Sequence, residues 1–379
     1  MNNKENGSIL LSVYARDVEP TDMLSEELDQ VLQGLYGEVG AIISTVKTLA
    51  REKTACPGYK KAAEEEFGDT LWYLAALCRR LNSPLEDVFI EATNHEAFKK
   101  IGAASDIIEG PLACVVTPIK PSSSLDETLI RLGQSAANLL SKNISINDLV
   151  CFARFYLDSL HAAELAFSDV ARGNLKKARG AFLDPTSEDL IGLDFDEGFD
   201  IEEQLPRSFK IRINERKCGR SYLQMNDVFI GDPLTDNIAS EDDYRFHDVF
   251  HLAYAAILHW SPVTRALLKR KRKSNPAVDE EQDSGRAIVV EEGLTAWIFT
   301  RAKELNYFEG QGKISLGMLK TIKEFVRGYE VDKCPLKLWE KAILEGYAIF
   351  RELKINRGGW IICNREQRTI KYEPFEPGK

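Results

Sequence analysis

From Asp22 to Lys53, apolar residues return at every third or fourth position: Leu28, Val31, Leu32, Leu35, Val39, Ile42, Ile43 and Val46. That period commits the segment to one long amphipathic helix, which must lie against other elements to bury its single apolar face. Within "GLYGEVGAIIS", residues 34–44, one carboxylate, Glu38, interrupts the stripe a turn away from Leu35 and Ile42. "ACPG" then breaks the helix. A second runs from about Tyr59 to Leu81, and a third starts after Asn82, Ser83 and Pro84, a cap-and-proline start signal.

The second helix carries Glu66 and Asp69 in "EEEFGD". Three positions apart, they share one helix face, which continues through Tyr73 and Ala76 into the apolar stripe. Ionised acids on a core-facing stripe need cations or a metal. Lys47, Lys60 and Lys61 lie at helix ends or beyond the stripe. If the two helices pack antiparallel across "ACPG", Glu38, Glu66 and Asp69 meet between them, and three carboxylates plus water are a donor set for magnesium. The plainer reading of Glu66 and Asp69 is a pair of solvated acids beside the core.

"GLYGEVG" followed by "EEEFGDTLWYLAAL" resembles the MazG-like, all-alpha nucleoside triphosphate pyrophosphohydrolases over roughly residues 25–100. The resemblance implies acids on two adjacent helices that bind Mg2+, or Mn2+. It also implies attack of an activated water on a nucleotide's α-phosphorus, releasing pyrophosphate and a monophosphate. By position, Glu38 matches the first acid of the family's ExxE, and Glu66 and Asp69 match both acids of its ExxD. Ala41 stands where the family has its other Glu. That departure removes one implied ligand, leaving either a site for one tightly held magnesium or a weakened or lost activity. Glu65 is no simple substitute, because it points about 100° away from Glu66 on the helix. The family also reaches the phosphates with an Asn and a Lys in a pattern like DvxxxNxxK. Residues 87–100, "DVFIEATNHEAFKK", fit it badly. In residues 169–179, "DVARGNLKKAR", Asp169, Asn174 and Lys177 fall at the expected offsets, with Arg179 just beyond as a further phosphate ligand. Otherwise "GNLKKAR" is a basic, exposed helix end.

Two further helical runs, Leu125–Ser141 and Ile146 to about Phe182, echo the first two in order, with "LGQSAANLLS" in the place of "YGEVGAIIS" and "FARFYLDSL" in that of "TLWYLAAL". The second copy lacks the acids. Either the helical half is a fused pseudo-dimer, whose first copy supplies acids and whose second supplies the phosphate grip, or two helical hairpins share ordinary amphipathic patterning. Beyond it, residues 184–204 read as a solvated acidic linker without EF-hand spacing, "RSFKIRINE" and "RSYLQMNDVFIGD" alternate like strands, helical patterns occupy Ser240 to about Asn356, and "GGWIICNREQRTIKYEP" closes like a hairpin. The expected chain is mainly α: an all-α bundle followed by an α+β domain with a small antiparallel sheet. Its segments are residues 1–105 with the acid motifs, a linker over 106–123, a second helical pair over 124–183, the acidic linker, and the α+β domain over 205–379.

In that last domain, "RFHDVFHLAYAAILHW" places His247 and His251 four apart on one helix face, with Asp248 beside the first. About forty residues on, Glu291 and Glu292 interrupt an apolar helix in "VVEEGLTAW". Two histidines and a downstream glutamate form a reasonable Zn2+ ligand set, while a lone helical HxxxH is otherwise a packing feature. The pattern superficially resembles zinc peptidases with HExxH and a downstream Glu, except that Asp248 stands at the general-base position. It also resembles the HD phosphohydrolases, through His247–Asp248 alone. The wider stretch looks like the C-terminal region attached to some MazG-like proteins, a likeness that supplies no chemistry. "KRKRK", residues 269–273, with Arg245, Arg265 and Arg286, would steer a phosphate-rich ligand or else form a solvated face.

Composition narrows the setting. With a net charge of −10, the chain is not expected to bind nucleic acid generally, and metal-chelated phosphates are favoured partners. The seven cysteines include no CxxC pair, which fits reduced thiols, and no apolar run reaches the length of a membrane span. A cytoplasmic protein without membrane contact, alone or as a homo-oligomer, is expected. Three functions fit: a magnesium-dependent pyrophosphohydrolase acting on a nucleoside or deoxynucleoside triphosphate; a nucleotide sensor that has lost turnover through Ala41 and carries a C-terminal interaction domain; or a metal-dependent hydrolase centred on His247, His251 and Glu292.

Overall fold

The computed structural model describes residues 11–53, 58–93, 123–141 and 143–376, which fall into two compact units divided after Leu183. In the first unit the long stripe does form a helix. Here α1 is Leu11–Val18, α2 is Leu28–Glu52, α3 is Tyr59–Arg80 and α4 is Leu85–Thr93. α2 buries Val31, Leu32, Leu35, Val39, Ile42 and Val46, one side of a 3.6-residue period. α3 is buried on nearly every side over its second half, through Leu71, Leu74, Ala75, Ala76, Leu77 and Cys78, so it forms the centre of the bundle.

Residues 54–57, which include all of the "ACPG" break but Gly58, and 94–122, which hold most of the expected linker and the end of "DVFIEATNHEAFKK", lie outside the described residues. Then come α5 (Leu125–Leu139), opened by a capping box between Ser124 and Glu127, α6 (Ile146–Ala162) and α7 (Phe167–Phe182). α2 packs on α3 and α5, α5 on α6, α3 on α7, α4 on α6, and α1 on both α4 and α7. Phe67, Phe89, Tyr156 and Phe167 meet edge-on at the middle, and the Tyr156 hydroxyl donates to the Phe67 carbonyl at 2.9 Å.

Two sequence expectations shift. The run from Ile146 to Phe182 is two helices, because Glu164 takes a left-handed conformation (φ 57°) between them, with no glycine or proline to announce it. The first long helix starts at Leu28 and not Asp22. Asp22 turns back to accept hydrogen bonds from Arg79, Arg80 and the Leu24 amide.

The second unit is built on a five-stranded antiparallel sheet of order β3-β2-β1-β4-β5, with β1 Ser208–Glu215, β2 Ser221–Met225, β3 Val228–Leu234, β4 Gly358–Asn364 and β5 Thr369–Glu373. The closing hairpin thus lies beside β1, across nearly the whole unit in sequence. Between β3 and β4 run the helices α8 (Asp248–Ala253, continued by a π turn over Tyr254–Leu258), α9 (Pro262–Leu268), α10 (Gly285–Glu304), α11 (Leu316–Phe325) and α12 (Leu336–Asn356). Every residue of α8 is buried, so its polar groups must find partners inside the protein.

The acidic tract does not behave as a solvated linker. Leu193, Phe195, Asp196 and Leu205 are buried in the second unit, and Asp196 pairs with Arg265 and, at 3.0 Å, with Arg365. Arg272 of the "KRKRK" run and two of the companion arginines are equally structural, while Lys269 and Lys273 stay exposed. Arg272 is buried against Asp283 and Glu330, both at 2.7 Å, and Arg245 is buried against Asp236 at 2.7 Å and Glu215 at 2.8 Å. The sequence keeps opposite charges apart along the chain; folding brings them together in buried networks, where each arginine fork finds carboxylates. Arg286 stays exposed.

Candidate functional site

The antiparallel pairing of α2 and α3 brings Glu38, Glu66 and Asp69 together, with one carboxylate oxygen of each within 4.8 Å of the others and all three half-buried. Two glycines of the motifs permit this. A Cβ on Gly34 would lie 2.1 Å from the Tyr73 ring, so that ring seats on α2 only because position 34 has no side chain. A Cβ on Gly68 would lie 2.8 Å from the Asn174 Cβ, so α7 reaches α3 only over that glycine.

Through that close approach α7 delivers two donors to Asp69. Asn174 Nδ2 donates to its Oδ1 at 3.1 Å, and Lys177 Nζ donates to its Oδ2 at 2.5 Å. Lys177 also pairs with Glu65 at 2.8 Å, so Glu65 flanks the cluster through the lysine. Asn174 is held in turn by the Tyr14 hydroxyl, which donates to its Oδ1 at 2.7 Å. Arg179 does not join them: two residues past Lys177, it is turned about 200° around the helix. Asp169 pairs instead with Arg172 at 2.8 Å. Burial, followed by the charges of Glu38, Asp69 and Asp22, pushes the Tyr73 phenol above its ordinary value. The donor set is hard oxygen throughout, it keeps access to water, and it suits a magnesium ion that retains part of its hydration shell.

Sequence reasoning missed Tyr14 and the lysine bridge to Glu65. α1 is only eight residues long, and its place beside α7 cannot be read from local pattern.

In the second unit, His247, Asp248 and His251 also cluster, each offering a donor atom within 4.8 Å of the others, and all three are buried. His247 Nδ1 lies 2.8 Å from the Tyr244 carbonyl, which can only accept, so its proton sits on Nδ1. The Tyr244 ring stacks on His247 with centroids 4.2 Å apart. His251 Nδ1 donates to Glu291 Oε1 at 2.8 Å, with both side chains 0% exposed. Glu291 also accepts from the Ser261 hydroxyl at 2.7 Å and from the Val263 amide at 2.8 Å. Glu292, whose side chain is 41% exposed, places Oε2 at 3.5 Å from His251 Nε2 and 3.7 Å from His247 Nε2. Burial disfavours the His251 imidazolium, but Glu291 and Glu292 outweigh it and hold the ring's pKa up to about 10. The five residues expected to gather here do gather, and the geometry divides the two glutamates: Glu291 faces Nδ1 of His251, Glu292 faces its Nε2.

Residues 191–376 match the family model of the MazG C-terminal domain. Over 89 residues, 22% of its length, the chain is 30% identical to the "Gene 37 protein" of Mycobacterium phage L5 and covers 74% of that protein. No solved structure matches the chain. Among the described residues, no helix is long and apolar enough to cross a membrane.

Proposed function

Starting from a chain that belongs to the MazG-related proteins, we propose that its helical unit is a magnesium-dependent pyrophosphohydrolase, converting a nucleoside or deoxynucleoside triphosphate to the monophosphate and pyrophosphate. The observation that carries this reading is the meeting of α7 with Asp69. Asn174 and Lys177, more than a hundred residues further along the chain, both reach its carboxylate. Two phosphate-seeking donors beside three carboxylates make a site that can hold a metal and an anionic substrate side by side.

Glu38, Glu66 and Asp69 would hold the ion, which supplies charge neutralisation for the phosphates and acidifies water. Glu38, which lies on α2 across from the other two acids, would be the acid not fully engaged with the metal and so takes the water's proton as general base. Asn174 donates to a phosphate oxygen, and Lys177 leaves Glu65 to stabilise the pyrophosphate as it departs. Tyr14 holds the Asn174 carboxamide oxygen, which keeps the Nδ2 donors aimed at the site. The order of helix contacts supports the fused pseudo-dimer reading. If α2–α3–α4 is exchanged for α5–α6–α7, the α2·α5 contact maps onto itself and α3·α7 maps onto α6·α4.

The test is chromatographic: incubate the full chain with Mg2+ and a panel of ribo- and deoxynucleoside triphosphates, with Asp69→Ala alongside. Monophosphate and pyrophosphate are expected, falling by about a thousandfold or more in the variant, as for loss of a group acting mainly in the transition state. Nucleotide binding without any product would instead favour the sensor, a reading motivated by Ala41 and by the lysine already seated on Asp69.

A further inference from the structure

We propose that the second unit contains a divalent transition-metal site of the zinc class, in which His247 Nε2, His251 Nε2, Glu292 Oε2 and the Asp248 carboxylate are the ligands and Glu291 is the partner that orients His251. The inference is independent of the nucleotide reading.

With zinc–nitrogen and zinc–oxygen bonds of about 2.0–2.2 Å, tetrahedral ligand atoms lie about 3.4 Å from one another. Glu292 Oε2 is 3.5 Å from one imidazole nitrogen and 3.7 Å from the other. Both separations exceed the 2.7–3.2 Å span of ordinary hydrogen bonds, yet the oxygen is set almost evenly between the two rings. Ligands surrounding a common ion show this pattern.

Second, the rings are anchored through their other nitrogens. The Tyr244 carbonyl fixes the proton of His247 on Nδ1, and Glu291 fixes that of His251 on Nδ1. Each ring, anchored through Nδ1, therefore presents its Nε2 to the same oxygen, Glu292 Oε2, and a bound ion would displace the proton that Glu292 favours on His251 Nε2. Glu291 is itself held by Ser261 and the Val263 amide, the carboxylate–histidine arrangement that raises ligand basicity at metal centres.

Third, a fully buried polar atom makes no hydrogen bond: His251 is 0% exposed, and its Nε2 makes none among the described residues. Its nearest acceptor, Glu292 Oε2 at 3.5 Å, stands beyond ordinary hydrogen-bond length, which leaves room for an ion between a buried imidazole nitrogen and a carboxylate. Two nitrogens and two oxygens suit a borderline ion such as zinc better than magnesium. The 41% exposure of the Glu292 side chain gives the ion a way in.

The experiment uses the full chain, stripped with a chelator and then titrated with Zn2+ alone against a chromophoric competitor, with bound metal counted by mass spectrometry. One equivalent should bind tightly and should persist in Asp69→Ala. Glu292→Ala, a change at a partly exposed position, should weaken binding at least a hundredfold while the circular dichroism spectrum is unchanged. Glu291→Gln should weaken it about 10- to 100-fold, the range for a ligand's outer partner. Failure of the stripped wild-type chain to take up zinc would overturn the proposal, and so would wild-type affinity in folded Glu292→Ala and His247→Ala.

Discussion

The two clusters gather acidic side chains on helices by opposite means. Around Asp69, three helices from distant parts of the first unit each contribute one or two groups, all ligand candidates are carboxylates, and each is half-buried. Around His251, most groups come from α8 and the turn of α10 facing it, imidazoles lead, and the innermost pair is fully enclosed. Under the function proposed above, a cluster open to water and already countered by a lysine would take ligands that come and go. A cluster of buried imidazoles, each anchored through Nδ1, would keep an ion under the inference proposed above. The difference lies in donor chemistry and burial, since both clusters are laid out on ordinary helical spacing.

The comparison would break most visibly if the open cluster did not depend on its scaffold. Asp22 joins the entry to α2 with the end of α3 by pairing with Arg79 and Arg80 at 2.7 Å, and the Arg80 and Asp22 side chains are only 6% and 8% exposed. Asp22→Asn leaves Arg80 buried without its counter-charge, which should cost about 3 kcal/mol near neutral pH. Burial alone would raise the Asp22 pKa, but hydrogen bonds from Arg80, the Leu24 amide and Arg79 bring it below its ordinary 3.8. The aspartate's contribution is therefore fully present above pH 3.8 and is lost as pH falls through its lower folded value. Denaturant melts across pH should show wild type and Asp22→Asn far apart at pH 7 and converging in strong acid.

A smaller effect tests how the helices meet. Gly68→Ala puts a methyl 2.8 Å from the Asn174 Cβ, so α7 must retreat, at about 1–3 kcal/mol for overpacking. If Asn174 works as the phosphate donor, KM for nucleotide should rise more than stability alone explains. Smaller still, Lys177→Met removes the cation from Asp69 and Glu65. Magnesium should then bind the nucleotide-free protein more tightly, by roughly tenfold for about 1.4 kcal/mol of relieved competition, while kcat/KM falls. Isothermal titration with Mg2+ alone separates the two effects; unchanged metal affinity would mean that the lysine does not share the ion's place.

Much of the open cluster was legible in the sequence because helical spacing is local. The three-residue step from Glu66 to Asp69 and the stripe around Glu38 fix which face each acid takes, and one antiparallel turn brings them together. The offsets of Asn174 and Lys177 were equally visible, although their meeting with Asp69 depends on Gly68, whose meaning emerges only when α7 is seen crossing it. Arg179 illustrates the limit: proximity in sequence promised a third donor, and the helix turns it aside. The second unit was less legible. Its acidic tract and its "KRKRK" run look solvated when read locally, but Asp196 and Arg272 are buried partners of residues tens of positions away. Long-range charge pairing leaves no period in a sequence.

The central claim is that Glu38, Glu66 and Asp69, with Asn174 and Lys177 beside them and alanine at position 41, still direct water to the α-phosphorus of a nucleotide. Turnover in 18O-labelled water with Mg2+, followed by mass spectrometry of the products, tests it most directly. The account predicts one labelled oxygen in the nucleoside monophosphate and none in the pyrophosphate. Label in orthophosphate, or no label in any nucleotide product, would contradict it.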